Sequence, residues 1–240
     1  MRSRQSDLSG NGGGTLFVVA TPIGNMDDLT LRALATLQSV DVILCEDTRH
    51  TRALLARHGI TVATESYHEH NEVQKTPGIV ERLVDGVSMA LVSDAGTPTI
   101  SDPGYRLLNA LRETVVAVVP IPGASSVTTL LSVSGLPTDR FVFEGFLPVK
   151  KGKRQRRLDE LASEPRTIVL FESPHRIART LAECLATWGD RPACLGRELT
   201  KKFEEIRRAP LSELSAHFEG RSVKGEITLA IGGFASSAKD

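Results

Sequence analysis

The stretch Met89–Gly104, MALVSDAGTPTISDPG, decides how the rest of the chain is read. Four apolar residues, Met89–Val92, run straight into Ser93-Asp94-Ala95-Gly96-Thr97-Pro98 and then Ile100-Ser101-Asp102-Pro103-Gly104. A short apolar run bounded by turn-forming residues fits a strand buried on both faces. The residues after it are small or conformationally permissive, so another molecule can approach the main chain closely. A loop of this kind, just past the carboxyl end of a strand, is where open α/β sheets bind ligands. Asp102-Pro103 also reads as the N-cap and first position of a helix, a purely structural role.

The same grammar extends in both directions. Leu16–Ala20, Val40–Cys45 and Val115–Val119 read as further buried parallel strands, with a weaker one at Val62–Ser66. Leu29–Leu37, Arg52–Arg57 and Val73–Val84 have helical spacing. In the second half, Phe141–Glu144, Thr167–Phe171, Ala193–Leu195 and Glu226–Ile231 read as strands. Helices fit around Ser126–Ser132, Arg156–Ala162 and Arg176–Thr187. The alternation predicts an α/β fold of two domains with mostly parallel or mixed sheets. A strand ending in Pro-Ile-Pro-Gly sets the boundary near Val119–Pro122, giving domains at 15–121 and 122–235. Residues 1–14 read as a disordered tail without the apolar region of a secretory signal, and residues 236–240 as a polar tail.

Composition narrows the function classes. The chain has 240 residues, 40% hydrophobic and 24% charged, the range of an ordinary globular protein. Lys+Arg and Asp+Glu both number 29, which excludes a polybasic protein and a highly charged disordered one. No apolar run approaches the length of a membrane span. Cys45, Cys184 and Cys194 form no CxxC, so neither a disulfide framework nor a cysteine zinc site is expected and a reducing cytoplasm is the default. The neutral total hides a split: residues 15–121 carry 8 basic and 13 acidic side chains, and residues 122–240 carry 19 and 15. The basic excess peaks at Lys150, Lys151, Lys153, Arg154, Arg156 and Arg157, which reads either as a solvated helix start or as a footprint for nucleic-acid phosphates.

G-x-G-x-x-G after the first strand, a P-loop, a G-x-S-x-G elbow and H-E-x-x-H are all missing. His68 and His70, two residues apart, read as polar surface or substrate contact, and no metal is expected. The motifs that are present lie at strand ends: Ala20-Thr21-Pro22-Ile23-Gly24-Asn25, Cys45-Glu46-Asp47-Thr48-Arg49, the stretch quoted first, and Pro120–Ser126. Asp47 and Ser125 serve equally well as helix caps, but four such loops on one edge favour a ligand site. The second half adds Phe171-Glu172-Ser173-Pro174-His175-Arg176, Arg197-Glu198-Leu199-Thr200-Lys201 and Lys224-Gly225-Glu226. Charged residues at successive strand ends need partners or a use.

Taken in order and spacing, ATPIGN, CEDTRHTR, SDAGTPTISDPG, IPGASS, FESPHR and RELTKKFEE make this sequence similar to the tetrapyrrole-methylase superfamily, the class III methyltransferases, from about Gly14 to Gly233. Within it, the chain resembles the group that methylates small-subunit ribosomal RNA. The resemblance implies two α/β domains with S-adenosyl-L-methionine in the cleft between them, a homodimer, and no membrane. It implies a cytidine ribose 2′-hydroxyl of 16S rRNA as the methyl acceptor, in free small-subunit rRNA or in the assembled subunit. Some relatives of this kind carry a further C-terminal segment. Carried over motif by motif, the cofactor residues are Pro22, Ala95, Gly96, Thr97, Ile100, Ser101, Ser125, Ser126, Phe171, Leu199 and Gly225. The weak 2′-hydroxyl nucleophile calls for a base or an alkoxide-stabilising cation, with Glu172, His175, Glu198 and Lys201 as candidates and Lys201 with Glu172 the favoured pair. Lys201 acts as a base only where its pKa is depressed. Arg176 and Arg197, with the 150–157 run, are expected on RNA phosphates. Two rival readings stand: a class III enzyme acting on a tetrapyrrole or other small substrate, and a non-catalytic RNA-binding assembly factor.

Overall fold

A computed structural model describes residues 13–234. The two terminal tails expected from the sequence fall almost entirely outside the described residues. The chain divides between Ser125 and Ser126 into two compact units.

The first unit is a five-stranded parallel sheet: β1 (Thr15–Val19), β2 (Val42–Cys45), β3 (Ala63–Ser66), β4 (Met89–Leu91) and β5 (Ala117–Ile121), in the order β3-β2-β4-β1-β5. The apolar runs are continuous because both faces are covered. Helices α1 (Leu31–Ser39) and α2 (Thr48–Arg57) bring Ala33, Leu37 and Leu55 onto one face, against Val19, Ile43, Cys45, Ala90 and Ile121. Helices α3 (Glu72–Val84) and α4 (Tyr105–Leu111) bring Ile79, Leu83, Leu107 and Leu111 onto the other, against Leu16, Leu44, Met89 and Leu91. Thr30 caps α1 by accepting a 3.1 Å hydrogen bond from the Ala33 amide. Asp47 caps α2, its carboxylate accepting from the Arg49 amide at 2.8 Å. Pro120, which has no amide hydrogen to give, sits on an edge strand, where that loss is tolerated.

This placement of helices creates the site. The chain leaves β1 and β2 toward the α1/α2 face but leaves β4 toward the α3/α4 face. β4 lies between β1 and β2, so neighbouring strand ends diverge on both sides of it. That divergence is a topological switch point, the place at the carboxyl edge where open α/β sheets generally bind ligands.

The second unit is a mixed sheet: β6 (Phe141–Phe146), β7 (Thr167–Glu172), β8 (Pro192–Arg197), β9 (Glu205–Pro210) and β10 (Ile227–Ile231), in the order β6-β7-β10-β8-β9. Only β6 and β7 run parallel; the other pairings are antiparallel. Helices α6 (Lys151–Leu161), α7 (Ile177–Trp188) and α8 (Leu211–Phe218) bury Leu158, Leu161, Leu181, Cys184, Leu214 and Phe218 on one face of the sheet. Helix α5 (Ser126–Ser134) packs on β8 and β10. There Gly196 leaves room for Leu130 and Leu199, whose methyl carbons would lie 2.8 and 2.9 Å from an added Cβ.

Two elements, β9 and α8, escaped the sequence reading, and the start of α4 was misplaced. β9 (EIRRAP) carries two arginines, and α8 follows it without a break. Helix α4 starts at Tyr105 with Gly104 as its cap, so Asp102-Pro103 does not start a helix. Instead, the Asp102 carboxylate takes a hydrogen bond from the Ser93 side chain, and the chain turns through positive φ at Thr99 and Ser101.

Candidate functional site

In the first unit the loops after β1 and β4 are locked together at the carboxyl edge. Thr21 and Gly96 exchange backbone hydrogen bonds of 2.9 and 3.1 Å, and the Thr21 hydroxyl donates to the Ser93 carbonyl at 3.1 Å. Thr97 joins the third loop, its hydroxyl donating to the Ala124 carbonyl at 3.2 Å. Gly96 holds φ at 81°, and an added Cβ would meet Ile23 Cγ2 at 3.3 Å and the Ala124 oxygen at 3.7 Å. Gly123 approaches Ala20 just as closely, with an added Cβ 3.0 Å from that side chain. Three glycine-bearing or proline-bearing loops thus converge, and Pro22, Ala95, Gly96 and Thr97 share one edge. Ile100 and Ser101 are exposed on the same β4–α4 loop, Ser125 ends the first unit and Ser126 opens α5.

A feature missed in the sequence lies beside this edge. Glu46 follows β2, and Asp94 and Asp102 follow β4, its sheet neighbour. Burial, then the charges of Asp102 and Asp94, push the Glu46 carboxyl up to about 7. Burial also pushes Asp102 up to about 6; the Ser93 hydrogen bond opposes it and Asp94 adds to it. The signal was present as CED and SDA at the ends of two apolar runs. Strand order, which the sequence does not state, makes them neighbours.

The second unit corrects most of the expected ionic roles. Glu172 is fully buried at the end of β7. Its carboxylate accepts from the Thr180 hydroxyl at 2.5 Å and the Ser173 amide at 2.7 Å, and it pairs with Arg154 at 3.6 Å and Arg176 at 3.1 Å. A buried carboxylate with two hydrogen bonds and two arginine partners orders the turn and is poorly placed to take a substrate proton. Arg154, expected on RNA, is 2% exposed and bonds Glu172, Glu183 and Thr180. A charge cannot be buried without such partners, and helical spacing turns this one member of the run inward.

Three more of the expected arginines are also taken. Arg157 makes two 2.5 Å bonds to Glu144 and one of 2.7 Å to Glu160. Arg176 donates to the Leu147 carbonyl at 2.8 Å. Arg197 pairs with Glu205 at 3.0 Å and donates to the Lys224 carbonyl at 3.2 Å. Lys150, Lys151, Lys153 and Arg156 are exposed and carry no ion pair among the described residues.

Lys201 is likewise unsuited to be a base. Burial alone would lower its pKa, but bonds to Glu198 at 2.8 Å and Glu226 at 3.0 Å outweigh burial and raise it. Glu198 is in turn held below the usual carboxylate range, chiefly by Lys201. Gly225 holds φ at 94°, and the Glu198 side chain occupies the place of its missing Cβ. Leu199 is a core residue against Gly196, and Phe171 packs edge-on against Phe143 and Phe146. His175 stays exposed, and its imidazole has no partner among the described residues. His68 is held at Nε2 by Asn71 at 3.0 Å, while His70 is exposed. No cluster of His, Cys, Asp and Glu among the described residues suits a metal ion, and no described helix is long and apolar enough to cross a membrane.

The fold defines a two-unit α/β protein with glycine-bearing loops gathered at the carboxyl edge of its parallel sheet. The chain belongs to the Tetrapyrrole (Corrin/Porphyrin) Methylases, whose family model matches residues 15–215, and it is a methyltransferase. It is similar to "Ribosomal RNA small subunit methyltransferase I" of Mesorhizobium japonicum, 50% identical over 219 residues, 90% of this chain and 74% of that protein. The protein of the same name from Escherichia coli O157:H7 is 46% identical over 241 residues, 99% of this chain and 84% of that one. Among solved structures, uroporphyrin-III C-methyltransferase from Thermus thermophilus superposes with a TM-score of 0.65 at 21% identity, covering 91% of this chain and 94% of that one. A diphthine synthase superposes with a TM-score of 0.66 at 16% identity, covering 91% and 90%. These two likenesses bear on the fold.

Proposed function

We propose that this methyltransferase moves the methyl group of S-adenosyl-L-methionine to the ribose 2′-hydroxyl of a cytidine in the 16S rRNA of the small ribosomal subunit. The carrying observation is the identity, 46% over 241 residues, to a curated relative named for small-subunit rRNA methylation. The cofactor fits the first unit's edge: Gly96 leaves out the one side-chain atom that would fill the space beside Ile23 and Ala124. Pro22 and Ala95–Thr97 would hold it through backbone and small side chains, with Ile100 and Ser101 beyond. The bound sulfonium supplies a methyl group already activated for displacement, so no Lewis acid is demanded.

The protein's work is then orientation. Holding the acceptor oxygen in line with the methyl group lowers the barrier by about 7–11 kcal/mol in well-aligned cases. Proton removal adds roughly 10²–10⁴-fold. We assign it to His175, the one candidate whose side chain is not already spent on an internal bond. Glu172 shapes the turn that carries His175, and Lys201 stays cationic beside Glu198 and Glu226. The exposed cations at 150, 151, 153 and 156 bind phosphates. The protein acts in the cytoplasm, where its substrate is, as a homodimer.

Mass mapping of rRNA nucleosides from cells with and without this protein tests the reading. One 2′-O-methylcytidine in 16S rRNA should vanish without it and return on complementation. An unchanged nucleoside map, or tritium from labelled cofactor passing to a porphyrinoid instead of the subunit, overturns it.

A further inference from the structure

We propose that Phe146 is a stacking platform for an unpaired RNA base, set beside a phosphate-binding row of Lys150, Lys151, Lys153 and Arg156. The proposal rests on the reading of RNA as substrate and names the part of this chain that grips it.

Phe146 ends β6 with 56% of its surface exposed, and Val149 follows at 77%. Apolar surface is thus exposed twice within four residues, just before α6 begins. The local backbone is built to present the ring. Strict alternation would put Phe143 and Phe146 on opposite faces of the sheet. A register shift between Phe143 and Gly145, with Gly145 at φ 67°, breaks that alternation. A β-bulge re-aims the side chains beyond it. Both rings consequently meet Phe171, edge-on, with centroids 4.9 and 5.6 Å away. The Phe146 ring is thus braced along one edge while over half of it stays in solvent.

The chain beyond is equally fixed. Arg176 holds the Leu147 carbonyl at 2.8 Å, and Arg157 ties α6 back to Glu144 in β6 through two 2.5 Å bonds. A platform ordered in advance loses little freedom on binding. Just beyond it in the chain come four exposed cations without ion pairs among the described residues, three of them at the N-terminal end of α6, which has no acidic residue in its first turn. Cations are disfavoured at that end of a helix, so the row is arranged for an outside anion. An aromatic face beside a cationic row matches single-stranded RNA, whose bases stack on aromatic rings while its phosphates take the charges. A second copy of this chain is the poorer occupant, because symmetric pairing would set the two cationic rows against each other.

The test uses the full chain. Phe146→Ala should raise KM for small subunits roughly 10- to 100-fold with kcat and cofactor affinity nearly unchanged, and Phe146→Tyr should restore it. In Phe146→Trp, emission above the background of buried Trp188 should be quenched by a single-stranded RNA oligonucleotide but not by its duplex. An unchanged KM in Phe146→Ala, or emission indifferent to single strands, overturns the platform. Loss of a dimer on sedimentation of Phe146→Ala, with RNA binding intact, gives the face to a second copy and overturns it too. If the wild-type chain transfers no methyl to rRNA while single strands still quench the emission of Phe146→Trp, the platform stands and the reaction assignment falls.

Discussion

In the proposed reading, Gly96 admits the cofactor by the absence of a single methyl group. Its φ of 81° is one that a branched side chain adopts only under strain, and its missing Cβ would press on Ile23. Gly96→Val should therefore weaken S-adenosyl-L-methionine binding by roughly 10- to 100-fold in calorimetry, the scale of one strained residue. A thermal melt separates that loss from unfolding. At His175 the expectation is kinetic: His175→Ala should lower kcat by about 10²-fold or more while leaving subunit binding intact in a filter assay. Glu46 offers a different readout. Its folded pKa, about 7, lies above the ordinary carboxylate value, so the folded state holds a proton that the unfolded chain releases. Its contribution is fully present below the unfolded value near 4.5 and is lost as pH rises through about 7. Glu46→Gln should flatten that decline and stabilise the protein at pH 8 by on the order of 1 kcal/mol, after discounting for solvent screening. Urea titrations at pH 5 and pH 8 measure the difference.

Helix α6 shows what an element adds to its residues. Read as a string, KKGKRQRR is a run of six interchangeable cations. Wound as a helix it divides: Arg154 turns inward to Glu172, Glu183 and Thr180, Arg157 reaches Glu144, and four cations stay in water. Removing Arg154 would leave the Glu172 carboxylate buried beside a single remaining arginine, a loss worth about 3–5 kcal/mol. Arg154→Met should cost that much in urea unfolding, and Arg154→Met with Glu172→Gln should cost clearly less than the two singles added, because the orphaned charge is gone. Additive losses would mean the two side chains do not act as a pair. The parallel sheet was legible because its strands are buried on both faces and read as unbroken apolar runs. β9 was not, since this edge strand leaves both Arg207 and Arg208 exposed, on alternate faces, and so lacks an apolar run. The strand-end loops were legible from their glycines and prolines. Ion-pair partners were not, because Glu172 meets Arg154 only after α6 and β7 have been laid against one another. Reading every strand-end charge as functional thus overcounted the site.

Over the whole chain, the neutral total conceals a basic second half, with 19 basic and 15 acidic side chains in residues 122–240. Many of those basic side chains are paired locally, as at Arg157, Arg166, Arg179 and Arg197, each with a glutamate of its own unit. What reaches an RNA is set by the unpaired cations, not by net charge. If Lys150, Lys151, Lys153 and Arg156 each neutralise one phosphate, the logarithm of the affinity for single-stranded RNA should fall with the logarithm of salt at a slope of about −3. Changing those four to glutamine should bring the slope close to zero without altering cofactor affinity. Changing Arg166 and Arg179 instead, an equal draw on formal charge per site, should leave the slope where it was, since both are already held by Glu164 and Glu183. Filter binding from about 50 to about 300 mM salt, on the order of a threefold change in Debye length, reads all three slopes. A slope that tracked total charge rather than the unpaired set would show that the second half draws RNA by its overall field and that α6 has no special part in the contact.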